Sequence, residues 1–383
     1  MSASEEPQTG DFEDPSTLEP QPEATGPQID STEPQVGLNP LQTVRCLQPP
    51  PPQSCLDPKG DLCIDVGMYP ARSFMVCSRA LARASPFWDK MLYGEFRESK
   101  KLCPQDDKQE WTVKLPEDDA TAMGLLLSII HGRFDMVPSY EDQIYVRDFY
   151  DISVIADKYD MAHVLQPWAR GWLRSTLRSI ELIGESLRDQ YCHERLWISW
   201  ALGDKANFEE IAKTMLLTSC TSIRDSNSLR CAGVFEPPEI YDIIEQTRLD
   251  TIKALLAPFH NILEGLITND KTLCKKHKKK RNYPDACLPS MLGTGIQSLH
   301  SAGLWPIPQP AEIPWSVSIL SDKLKSVKME SNGYLEVEDG RVHKCSQGPA
   351  LQVEIERVLN SIPPLLTEAH ECHLECQARK SGV

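Results

Sequence analysis

No run of apolar residues approaches the 18 or so needed to cross a bilayer, so no membrane-spanning helix is expected. The opening residues, MSASEEPQTGDFED, lack the basic-then-apolar order of a secretory leader, and the chain is expected inside the cell, in cytoplasm or nucleus. Positive charge is scarce: Lys and Arg total 40 against 55 Asp and Glu, a net charge of −15. A broad nucleic-acid surface, which needs clustered cations, is not expected. The 13 cysteines are odd in number and scattered, with no pair of CxxC motifs. That excludes a disulfide framework and reads as reduced thiols. No G-x-S-x-G, H-E-x-x-H, phosphate loop or dinucleotide fingerprint occurs, and Gly293-Thr294-Gly295 is too short to cradle a phosphate. The expectation is therefore no enzyme and no cofactor. No repeat of solenoid or propeller length is visible.

What is present begins with a proline-rich, acidic segment, residues 1–58, that includes Pro49–Pro52. Such a composition buries too little apolar surface to offset its ordering entropy, and the segment is expected to be a disordered tail. The pattern then changes. In DLCIDV, Leu62, Ile64 and Val66 alternate with polar neighbours, and Phe74 and Val76 alternate in RSFMVC. Period two predicts a hairpin with one apolar face. Ser85-Pro86 is a helix start, after which Trp88, Met91 and Leu92 share a face. WTVKL predicts a third strand ended by Pro116, and Asp118-Asp119 opens a helix carrying Met123, Leu126, Leu127 and Ile130. A helix over 147–159 turns Phe149, Ile152, Ala156 and Tyr159 inward; Asp160 breaks it, and Pro167 begins another with Trp168 and Trp172. Those tryptophans are read as sealing a helical core.

The strings FMVCSRALARASPFWDKMLYGEFRES, LLLSIIHGRFDMVP and FYDISVIADKYDMAHVLQPWARGW resemble the core of a BTB/POZ domain, the last resembling those of filamentous fungi in particular. The resemblance covers about a third of the chain. It implies an α+β fold, a small mixed sheet capped by helices, over residues 59–175. Many such domains carry histidine at the place of Cys77, which is read here as a small buried filler. A helical extension over 176–267 follows, in which LWISWALGDKANFEEIAKTMLL reads as two helices meeting near Gly203-Asp204. Residues 240–267 read as an amphipathic stretch broken at Pro258, and the extension as a rigid arm. A basic linker over 268–282 leads to a C-terminal helical region over 283–383, with helices expected at 289–302, 316–327, 350–359 and 365–380. A weaker resemblance persists there, in ACLPSMLGTGIQSLHSAGL and RVHKCS.

Four groups of residues carry candidate function. BTB domains that dock cullin scaffolds have an apolar-x-Glu motif where this chain has Phe96-Arg97-Glu98, with Tyr93 close by. The resemblance implies a protein-interaction module, a substrate adaptor for a cullin-RING ubiquitin ligase whose further region selects a substrate protein. The alternative is a nuclear scaffold or transcription-associated protein that self-associates through the same domain. Second, Lys275, Lys276, Lys278, Lys279, Lys280 and Arg281 form a run that an import receptor could bind, against the alternative of a solvated loop. Third, Cys274 and Cys287 flank that run, His277 lies within it, and His343 and Cys345 lie further on. Of these, Cys287, His343 and Cys345 match residues that recur in the fungal proteins and are the candidate ligands if a metal is held; ordinary buried thiols are the favoured reading, and no metal is assigned. Fourth, His370, Cys372, His373 and Cys376 cluster on the last expected helix. A homodimer is possible. The helix through which many BTB domains swap would fall on PPPPQSCLDPKG, a poor helix former.

Overall fold

The computed structural model describes residues 47–69, 71–100, 111–139, 141–183, 191–220, 234–274, 286–331 and 344–383, all within one compact unit. The architecture is α+β: a four-stranded mixed sheet near the start of the described chain, then helices. The strands are β1 (Gln53–Cys55), β2 (Leu62–Val66), β3 (Arg72–Val76) and β4 (Thr112–Leu115), in the order β1-β3-β2-β4. β2 and β3 pair antiparallel; β1 runs parallel to β3 and β4 parallel to β2. The alternation works as expected, with Leu62, Ile64, Val66, Phe74, Val76 and Val113 buried on one face. Helix α3 (Ala120–Ile130) crosses that face closely enough that a Cβ on Gly124 would press on the Phe74 ring.

β1 corrects the expected boundary of the tail at residue 58. Ser73 donates its N–H to Pro52 O and Leu56 donates to Met75 O, each bond near 3 Å, and Leu56 is buried. A prolyl residue cannot donate into a ladder, but its carbonyl still accepts, so a proline-rich approach to an edge strand is compatible with pairing.

Helix starts follow local chemistry. Helix α2 (Pro86–Tyr93) is capped by Ser85, whose Oγ accepts from the amides of Phe87 and Trp88 and donates to Tyr159 O at 2.5 Å. Trp88 is fully buried, stacked 4.8 Å from the Tyr159 ring. Asp119 caps α3, accepting from Thr121 and Ala122. Its neighbour Asp118 is buried and joins α3 to helix α4 (Val146–Lys158), accepting from Lys158 Nζ at 2.6 Å and Tyr159 Oη at 2.5 Å. Burial and that carboxylate push the Tyr159 phenol well above its ordinary range. Cys77 is only half-buried: it stands at the N-terminus of helix α1 (Ser78–Ala84) and gives its N–H to His131 Nε2 at 2.9 Å, so the expected filler is a helix-start residue.

Beyond α4 the chain turns at Asp160 (φ +50°), and helix α5 (Ala169–Ile183) begins two residues later than Pro167 suggested. Trp172 is buried and donates to Ser139 O, in keeping with a core-sealing part. Helix α6 (Cys192–Leu202) packs along α4, and helix α7 (Lys205–Thr218) packs on α6. The expected arm is thus folded back: Phe235 donates its N–H to Tyr150 Oη, and Arg147 lies 3.9 Å from buried Glu194. Helix α8 (Ile240–Ile267) runs through Pro258 without interruption, correcting the expected break. Proline there forfeits the bond to residue 254, but Ile252, Leu255, Leu256, Phe259 and Leu263 bury both halves against neighbours, which outweighs one lost bond.

Four helices complete the structure: α9 (Cys287–Ser301), α10 (Val317–Lys325), α11 (Gly348–Asn360) and α12 (Glu368–Ser381). The last returns to the first half. Lys380 pairs with Asp160 at 2.7 Å, Ser381 Oγ donates to Leu202 O at 2.6 Å, and Lys205 pairs with Glu371 at 2.7 Å. One hydrophobic core runs from Leu56 on the sheet to Leu374 on α12. A second, smaller cluster holds Leu266, Cys274, Cys287, Leu288, Met291 and Cys345.

Candidate functional sites

The segment after α2 carries the first candidate. Phe96 is 54% exposed and Arg97 is exposed, while Glu98 is half-buried. The loop is held by its backbone: Trp111 Nε1 donates to Glu98 O at 2.9 Å, Ser99 N to Phe96 O, and Lys100 N to Leu92 O. Lys100 Nζ then binds Asp61 Oδ2 at 2.8 Å and lies over the Trp111 ring. Asp61 is partly desolvated, which opposes ionisation, but Lys100 and Ser78 outweigh that and hold its carboxyl below the ordinary range. An aromatic side chain in solvent on a fastened loop is an anchor that needs little ordering on binding. Tyr93 differs. Its hydroxyl is 2.5 Å from Ser78 Oγ, the Arg79 guanidinium lies 4.1 Å over its ring, and its other face meets Trp111. It props the loop from behind.

The second site is a triad of thiols. Cys274, Cys287 and Cys345 are buried, and their Sγ atoms all lie within 4.8 Å of one another, with Cys345 to Cys274 at 3.8 Å. Each comes from a different segment. α8 ends at Ile267, the chain reverses at Asn269 (φ +59°), and a short turn capped by Asp270 delivers Cys274. Cys287 is the first residue of α9. Cys345 adjoins the bridge between Glu330 and Ser346. Burial first, and then the neighbouring thiols, push the Cys287 thiol well above its ordinary value. Of the expected metal candidates, Cys287 and Cys345 are brought together; His343 lies outside the described residues, as do His277 and the whole basic run Lys275–Arg281. Cys274, flanking that run in sequence, takes the third place.

The His and Cys residues of α12 do not converge. His370 is buried, donating from Nε2 to Pro238 O at 2.8 Å while Nδ1 accepts from Thr367 N in the capping box. His373 stacks on Trp200 at 3.7 Å. Cys372 and Cys376 are exposed. His193 is buried, with its Nδ1 2.7 Å from Tyr241 Oη. No helix among the described residues is long and apolar enough to cross a membrane.

Comparison with protein-family models, with curated proteins and with solved structures finds no match to the chain.

Proposed function

We propose that the chain is a BTB/POZ-type protein-interaction module that serves as a substrate adaptor for a cullin-RING ubiquitin ligase. The support is an order of elements (antiparallel hairpin, helix pair, strand parallel to the first of the hairpin, capping helix) that agrees with what the sequence resemblance implies. The observation that carries the docking claim is Phe96, more than half exposed on a loop pinned by Trp111 and Lys100. The aromatic would enter a pocket on a cullin helix, and Glu98 would accept from a polar or basic group beside it. Ligase chemistry belongs to the partners, and this chain supplies proximity.

The test is the double substitution Phe96→Ala with Glu98→Ala in the full chain. Because Phe96 is largely in solvent, the variant should keep its circular dichroism and melting temperature. Co-purification with a cullin should weaken by at least about tenfold, as for loss of a central anchor. Equal recovery of cullin by variant and wild type would remove the adaptor reading.

A further inference from the structure

We propose that Cys274, Cys287 and Cys345 are three ligands of a structural zinc ion. Tetrahedral zinc with Zn–S bonds near 2.3 Å sets its sulfurs about 3.8 Å apart. Cys345 and Cys274 already stand at 3.8 Å, and no pair exceeds 4.8 Å. Side-chain rotation by ~1 Å brings the third sulfur to the same spacing. A disulfide is a poor account of the cluster, since bonded sulfurs lie about 2.05 Å apart and any one bond would strand the third thiol.

The surroundings are those of a fastened site. Gln347 Nε2 donates to Leu273 O at 2.7 Å, tying the Cys345 segment to the Cys274 turn. Ser331 N donates to Cys345 O, and Cys345 N donates to Ser331 Oγ, both at 2.9 Å. Thr294 on α9 accepts from Glu330 N, fixing α9 against the same bridge. Bonds of this kind orient ligands before a metal arrives. Leu266, Leu288 and Met291 close the apolar side, which suits a shielded structural site.

On binding, each thiol gives its proton to solvent as its sulfur takes the metal, so the site exchanges three S–H bonds for three S–Zn bonds. Zinc does not change oxidation state. The three segments already meet in one small apolar cluster, and a metal would hold them together there. The inference is independent of the adaptor reading.

The experiment uses the full chain, purified without chelator from cells grown with added zinc. Elemental analysis should find one zinc per chain, and X-ray absorption at the zinc edge should show three sulfur neighbours. Cys287→Ser with Cys345→Ser should lose the zinc, whereas Cys372→Ser, an exposed cysteine elsewhere, should keep it. Should the double variant fail to fold, cobalt(II) added to metal-stripped wild type decides: intense thiolate-to-cobalt absorption supports the site. A wild-type chain that takes up neither zinc nor cobalt overturns the proposal. So does zinc retained by a folded double variant, or a zinc shell with fewer than three sulfurs.

Discussion

Gly203 joins two helices through backbone alone. It ends α6 at φ +82°, and a Cβ there would collide with Leu374 O and Ala378 N of α12. Gly203→Ala adds left-handed strain to that collision, so the unfolding free energy should fall by more than about 2 kcal/mol, read as a lower urea midpoint. His193 gives a second prediction at this scale. Burial holds its imidazole below the ordinary value, against a smaller opposing effect of Glu236. The unfolded chain therefore takes up this proton first. Stability is full above about pH 6.5 and is lost as pH falls towards the depressed value. Half-buried His373 acts in the same direction. The melting temperature should drop between about pH 6.5 and pH 5, and His193→Gln, which can still bond Tyr241, should shrink the drop. A flat profile in the wild type would contradict the burial argument. Cap residues such as Ser85 and Asp119 were readable because their partners lie two or three positions away. Cys274 was named beside the basic run but not among the candidate ligands, because its approach to Cys345 depends on α8 continuing through Pro258 and reversing at Asn269.

Among the elements, β1 departs furthest from what the residues led one to expect. PPPPQSC has the composition of a tail, yet it supplies a parallel edge strand because β3 offers an open ladder and Leu56 an apolar anchor. Local composition carries no trace of a partner strand some twenty residues on. A chain trimmed to begin at residue 59 should melt several degrees below one trimmed to residue 47, since burying Leu56 alone is worth about 2–3 kcal/mol. Equal melting would mean that the strand contributes little. The other strands and α3 were legible because their apolar period matches their geometry. Pro258 shows the converse: a strong local breaker is overridden when apolar residues on both sides are buried along one line.

At the scale of the whole molecule, composition shifts suggested boundaries at 175 and 267, but one core crosses both. α12 returns to touch Asp160, Leu202 and Lys205. The described residues should therefore unfold in a single transition, with tryptophan fluorescence and far-ultraviolet dichroism losing signal together. Two separated transitions would show that the halves are autonomous. The thiol triad and the Ser331–Cys345 bonds have a different consequence. Cys274 stands beside Cys287, and Ser331 beside Cys345. Lengthening the chain between the members of either pair adds only a slowly growing closure cost, because the two ends are already held side by side. A reporter peptide or fluorescent protein spliced into either stretch would thus ride on the molecule without prising its core apart.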